Sequence, residues 1–409
     1  MNEKTDGYLN LLKRRNFLLF AIAQVTTNLG DGIHMTAVTF LAIYLGASPF
    51  EVGVVAFCST FPRILFGPIG GVYADKWDKK KTMVITDFVR FFLVLLIPVL
   101  YIADALSIAM IALISFVLTS CSPFFVPASK AYIPKMVGKK NINLANGLLQ
   151  TTLWPSFFIG AGLVGPINAL INLPFVLVIN ALSFAIAGFL IMFIKSNKNE
   201  DHSSGVKKDV KLFSSLKEGY IALRTEKALH FTVMTFGVYT FFWRGLLQVA
   251  LPLYVTVTLG GGPGMFGVFM AVNGVGEMVG SLIMGKLKVK RPMSVAFIGE
   301  ILFGVAMVSV ALAGDPFFIA VVLFIGGVTS PVTDIPILSS IQKNIKEDHI
   351  SKVFSYWNTM GAVGSSLGTL LIGIWLELIS PSTMFYIGGA ILILVGALGV
   401  YLMKKKYER

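Results

Sequence analysis

The sequence predicts an all-α integral membrane protein with twelve spanning helices in two parallel six-helix repeats. Three observations lead there: the apolar bulk of the chain, the placement of its basic residues, and a doubled pattern of glycine and proline. Of 409 residues, 55 % are hydrophobic and only 13 % charged, and the mean hydropathy is +0.78. A soluble chain of this length would carry far more surface charge. A bilayer core takes roughly 20 apolar helical residues per crossing, and the chain offers twelve such stretches separated by short loops.

The predicted spans are 17–44, 52–73, 82–102, 107–129, 145–168, 173–194, 230–258, 264–285, 292–313, 316–340, 353–376 and 382–402. Basic residues bracket them on one side only. Lys13, Arg14 and Arg15 precede the first span. Basic runs at 76–81, 130–140, 195–227, 286–291 and 343–352 then separate every second span from the next, and 404–409 follows the twelfth. The intervening loops hold no Lys or Arg, only acids such as Glu51, Asp104 and Asp315. Of 34 Lys and Arg, just Arg63, Arg90 and Arg244 fall inside spans. Cytoplasmic loops retain basic residues, so a multi-pass protein of the cell membrane with both termini in the cytoplasm is expected. The net charge of +13 is therefore dealt out by topology. A nucleic-acid groove would gather it on one face, and no nucleic-acid partner is expected. The first span is too long for a cleavable leader. Cys58 and Cys121 lie inside spans and read as small core residues, with neither a disulfide nor a metal site expected.

The repeat appears at an offset of 208 to 210 residues. Gly67 and Gly71 recur as Gly276 and Gly280, Pro127 as Pro336, Gly160 and Gly165 as Gly368 and Gly373, and Lys76, Lys80 and Lys81 as Lys286, Lys290 and Arg291. An even number of spans per half makes the repeats parallel. The halves are expected at 1–194 and 230–409, joined by a cytoplasmic linker at 195–229. Lipid gives helices no hydrophobic reason to associate, so small residues four apart supply close packing; Gly67/Gly71, Gly276/Gly280 and Gly364/Gly368 are such pairs. In the linker, Phe213, Leu216, Tyr220 and Leu223 recur at helical spacing beside Lys211, Lys217 and Arg224, which predicts a helix lying on the anionic inner leaflet.

The loop after the second span, Gly70-Gly71-Val72-Tyr73-Ala74-Asp75-Lys76-Trp77-Asp78-Lys79-Lys80-Lys81, resembles the loop signature of the major facilitator superfamily. It departs at Asp78, where the family usually has Gly, and the second-half copy has Gly285 in place of the acid. The resemblance implies a transporter, not an enzyme, whose halves rock around a central site without any cofactor. It also implies gating by Gly71, Asp75, Lys76, Lys79 and Lys80, with Asp75 set against the start of the eleventh span near 353–357. Leu29-Gly30-Asp31-Gly32, Leu144-Ala145-Asn146-Gly147 and Lys217-Glu218-Gly219-Tyr220 are similar to the macrolide-efflux and enterobactin-exporter branch. Lysophospholipid transporters share parts of the same pattern. The fifth-span antiporter signature survives only as Gly160, Gly162, Gly165 and Pro166, and Leu118 stands where drug exporters often carry Arg.

Charges inside spans are few, and each costs about 2.5–3.5 kcal/mol on insertion scales. Asp31 and His34 share a helix face and, with Glu277 and Asp334, are the candidates for proton coupling. Asp31 paired statically with Arg63 is the competing assignment. Arg63, Arg244 and Trp243 are substrate-binding candidates, since a guanidinium beside an aromatic ring suits an anionic or amphiphilic molecule. Asn28, Trp357 and Asn358 complete that set. Asp87, Arg90 and Glu300, nearer the cytoplasmic ends, are assigned structural roles. Gly280 to Lys286 mimics a phosphate-binding loop, but Leu287 replaces the required Ser or Thr and no strand precedes it. The expected function is proton-coupled efflux of an amphiphilic or aromatic small molecule by a monomer embedded in the lipid bilayer. A lipid flippase or uniporter, and a transporter-like receptor or sensor, are the alternatives.

Overall fold

The computed structural model describes residues 8–67, 70, 77–195, 212–287 and 289–407. Every regular element among them is helical. Twelve helices follow in chain order: α1 Arg15–Tyr44, α2 Pro49–Gly67, α3 Lys79–Ile102, α4 Ile108–Val137, α5 Ile142–Leu170, α6 Leu173–Met192, α7 Lys227–Thr258, α8 Pro263–Lys286, α9 Pro292–Leu312, α10 Pro316–Asn344, α11 Glu347–Trp375 and α12 Pro381–Leu402. Ten of these are long and apolar enough to cross a membrane. The other two, α1 and α11, are as long at 30 and 29 residues but more polar. They hold Gln24, Asn28, Asp31 and His34 in one case, and Asp348, His349, Lys352 and Asn358 in the other.

Local chemistry sets the helix starts. Ser48, Asp78, Ser107, Asp315 and Ser380 cap α2, α3, α4, α10 and α12 with side-chain oxygens, satisfying first-turn N–H groups that no helical carbonyl reaches. Proline opens α2, α8, α9, α10 and α12, where its missing N–H costs nothing. Large apolar side chains stand outward along the helices, with Ile102 67 %, Phe317 78 % and Leu394 69 % exposed. A water-soluble surface does not carry such a covering, and a bilayer supplies its solvent.

The chain forms two compact units. The first comprises residues 1–41 and 62–209. Its core gathers Phe17, Phe20 and Ala23 of α1 with Met83 of α3, Phe125, Ala128 and Tyr132 of α4, and Ala187 and Ile191 of α6. Helices α1 and α5 cross with backbones in contact: a Cβ on Gly32 would lie 1.9 Å from the Phe157 carbonyl oxygen, and one on Gly160 2.1 Å from that of Leu29.

The second unit comprises residues 42–61 and 210–409. The repeat reproduces the same crossing between α7 and α11, where a Cβ on Gly364 or Gly368 would meet the Gly237 or Phe241 carbonyl at 2.1 or 2.0 Å. Gly276 and Gly280 seat α8 on the Phe324 and Val328 carbonyls of α10. Gly67 differs: among the described residues a Cβ there meets nothing within 4 Å, and its partner in the spacing, Gly71, lies outside them. The predicted α11 begins too late, because its first turns, Glu347 to Lys352, are polar and give no apolar signal. They seat the linker helix, Leu212–Leu223. Gly219 lies against the Lys352 backbone, Glu218 pairs with Lys352, and the Tyr220 ring stands 5.7 Å from that of Tyr356. Tyr220, assigned from sequence to the membrane surface, is therefore turned onto protein and Leu223 is buried. Gly219 permits this approach. The side chain of Phe213 lies outside the described residues.

The start of α2 belongs to this second unit and lies along α11, with Gly53 against Gly373. Ser48 and Glu51 form a reciprocal capping box, and Phe50 N–H donates to Glu377 Oε1 at 2.8 Å. That bond, then the Ser48 side chain, hold the exposed Glu377 carboxyl below its ordinary value of 4.5. A depressed carboxylate stabilises the state that depresses it above its ordinary pKa and loses that contribution as pH falls through the lowered value. The expected result is that Glu377→Gln lowers the thermal midpoint at neutral pH. In acid below that lowered value, well under pH 4.5, where the wild-type carboxylate is also neutralised, the two proteins converge. A midpoint difference independent of pH would contradict this role.

Candidate functional site

In the first unit, ionisable residues converge from α1, α2 and α3. Asp31 is half-buried, and its electrostatic neighbours are Arg90 and Arg63. Arg63 is exposed although it lies within a membrane helix, so it needs water or polar surface beside it. His34, one turn along from Asp31, is 8 % exposed, and neither ring nitrogen has a hydrogen-bond partner among the described residues. Asn28 is half-buried on the same helix. Arg90 is fixed on every side. It lies 3.9 Å from Asp87, donates to Ser122 Oγ at 3.0 Å, and stands 5.1 and 5.5 Å from the ring centres of Phe125 and Phe184. Its guanidinium joins α3 to α4 and α6, a structural role.

The basic loop divides. Gly71, Asp75 and Lys76 lie outside the described residues. Lys80 donates to the Met192 and Ile194 carbonyls at 2.8 and 2.7 Å, capping the end of α6 with a positive charge. Lys79 opens α3. Asp78, the departure from the family pattern, accepts from Lys81 N–H at 2.8 Å as the α3 N-cap.

In the second unit, the charged residues sit on α7, α8, α9 and α10. The Arg244 guanidinium stands 4.6 Å from the Trp243 ring centre, and Glu277 of α8 is its electrostatic neighbour. Ser330 of α10 lies beside Glu277. Past Arg244 and Gly245 the helix runs into a π-helical turn, Leu246–Ala250, and a second follows at Tyr254–Thr258, a distortion frequent at functional sites. Asp334 lies between Pro331 and Pro336 on α10, with Oδ1 buried and unpartnered. Trp357 of α11 sits among Phe236 and Phe354, with ring centres 5.3 and 6.0 Å away, and its indole N–H is buried without a partner. Asn358 beside it is exposed.

Sequence reasoning missed Tyr239. This buried residue of α7 has Asp334, Glu300 and Glu277 as electrostatic neighbours, and nothing in its surrounding sequence sets it apart from other span tyrosines. The phosphate-loop mimic is continuous helix through Lys286.

The chain as a whole is similar to known proteins. Residues 7–409 match the family described as transmembrane secretion effector. The MFS-type transporter YfiS of Bacillus subtilis (strain 168) is 24 % identical over 94 % of this chain and 92 % of its own length. Macrolide efflux protein A of Streptococcus pyogenes is 20 % identical over 91 % and 92 %. The staphyloferrin A transporter of Staphylococcus aureus (strain NCTC 8325 / PS 47) is 24 % identical over 91 % of each. The crystal structure of the nucleoside transporter NupG superposes with a TM-score of 0.71 at 12 % identity, over 96 % of this chain and 100 % of that one, which establishes the shared fold. With its apolar helices and doubled six-helix pattern, the chain belongs to the transmembrane secretion effector family of the major facilitator superfamily, on its efflux branch.

Proposed function

We propose that this protein exports an amphiphilic or aromatic small molecule from the cell in exchange for protons, by alternating access. The observation that carries this reading is the Trp243–Arg244 pair with its neighbour Glu277. A permanent cation on an aromatic face, inside a membrane helix, suits a molecule with an apolar body and an anionic or polar group. Asp31, His34, Glu277 and Asp334 are the groups we assign to proton coupling. Asn28, Arg63, Trp243, Arg244, Trp357 and Asn358 are those assigned to substrate. The relatives named for macrolide efflux and staphyloferrin A support the substrate class. The one-sided basic loops support cytoplasmic termini in the cell membrane, and we assign the working unit as a monomer.

The test is accumulation of a labelled macrolide and of a labelled siderophore in energised cells making the protein. Lower accumulation than in control cells, restored by a protonophore, is expected for at least one of them. Reduced accumulation that survives collapse of the proton gradient would overturn the coupling, and an unchanged level of both compounds would overturn this choice of substrate class.

A further inference from the structure

We propose that Glu300 is a proton-binding site of the second unit, working with Asp334 and additional to the carboxylates assigned above. The transport role rests on the proton-coupled reading, whereas proton binding itself does not. Within their apolar stretches, α7 to α10 hold three carboxylates, Glu277, Glu300 and Asp334, against one arginine. Arg244 answers Glu277. Glu300 and Asp334 belong to no ion pair among the described residues.

Glu300 is 0 % exposed, and among the described residues both its carboxyl oxygens are buried without a hydrogen-bond partner, as is Asp334 Oδ1. Among the described residues, the membrane spans around it contribute no counter-charge. From α10, Glu300 faces Asp334, and α9 is pressed so closely there that a Cβ on Gly299 would lie 2.4 Å from Thr333 Oγ1. From α7 comes the Tyr239 hydroxyl; the basic groups of that helix are Lys227 and His230 at its start and Arg244, beside Glu277. The α12 span Pro381–Leu402 contains no acidic, basic or histidine residue, and beyond it the turn Met403–Tyr407, which packs on α9, keeps Lys404 and Lys405 exposed.

An ionised carboxylate so placed has neither water nor cation, and such a group takes a proton instead. A proton from water adds to a Glu300 oxygen and leaves again when that oxygen meets water. Neighbouring acids that interact titrate as a pair, so Asp334 sets how readily Glu300 gives its proton up. The internal repeat places Glu300 opposite Arg90, at the same offset as Lys76 and Lys286. The first unit thus carries a fixed cation where the second carries an acid.

Infrared spectroscopy of the purified full-length protein in lipid nanodiscs tests this through the carbonyl band of protonated carboxyl groups. The band is expected at neutral pH, lost reversibly in mild alkali, and its Glu300 component missing from Glu300→Gln. Glutamine copies the neutral acid, so that variant is expected to fold. Asp334→Asn offers a second route, since it should move the midpoint of the Glu300 component. A neutral-pH band unchanged by Glu300→Gln, a component that never titrates, or a midpoint unmoved by Asp334→Asn would each overturn the proposal. Failure of substrate-driven proton flux in the wild type would strike the antiport reading while leaving these spectra standing.

Discussion

Gly368→Leu is expected to abolish assembly of the second unit. A Cβ at position 368 already falls 2.0 Å from the Phe241 carbonyl oxygen and close to that residue's Cα, so backbone, not a flexible side chain, must move. Overpacking a core costs about 1–3 kcal/mol when side chains can yield, and here they cannot. Separating α7 from α11 also forfeits the close contacts that replace the hydrophobic effect between helices in lipid. Size-exclusion profiles and thermal midpoints in detergent provide the check: a lost or aggregated peak for Gly368→Leu, beside a near-normal one for Gly67→Ala. The sequence presents these two glycines alike, but among the described residues position 67 is open space. Equal behaviour of the two variants would contradict the assigned crossing.

Arg244→Ala is expected to reduce transport at least tenfold and to destabilise the fold. The substitution removes the cation from the Trp243 face and leaves Glu277 without its electrostatic partner. Both side chains are half-buried, so the cost falls below the about 3–5 kcal/mol of breaking a fully buried pair, much of it from the charge left behind. Neutralising that charge separates the two effects. The double variant Arg244→Ala with Glu277→Gln should recover the thermal midpoint but not transport. Recovery of transport alongside stability would show that Arg244 serves only to balance Glu277.

The sequence announces the spans well because lipid demands uninterrupted apolar helix and because basic loops mark one side. Its errors fall where that signal is absent. The polar first turns of α11 carry no apolar pattern, since the partner that seats them is the linker helix. Glycine spacing says where helices are able to approach, not whether a partner arrives, which separates Gly67 from Gly276 and Gly368. The loop lysines show the same limit: a family pattern marks Lys80, yet its two bonds to the end of α6 emerge only in three dimensions. For the site, span charges are legible because they are few. The structural role assigned to Glu300 rests on its depth along the helix, whereas its complete burial depends on α10 and α12, which no local pattern reports. Tyr239 gains meaning only once three carboxylates from three other helices surround it.

Exchange of substrate for protons is the central claim, and acid-loaded inside-out vesicles containing the protein test it most directly. Challenge with macrolides, siderophores and lysophospholipids is expected to collapse the pH gradient for at least one of the first two classes. The collapse should be absent from empty vesicles. Accumulation of a labelled compound with the gradient left intact would contradict proton exchange and point to a flippase or uniporter.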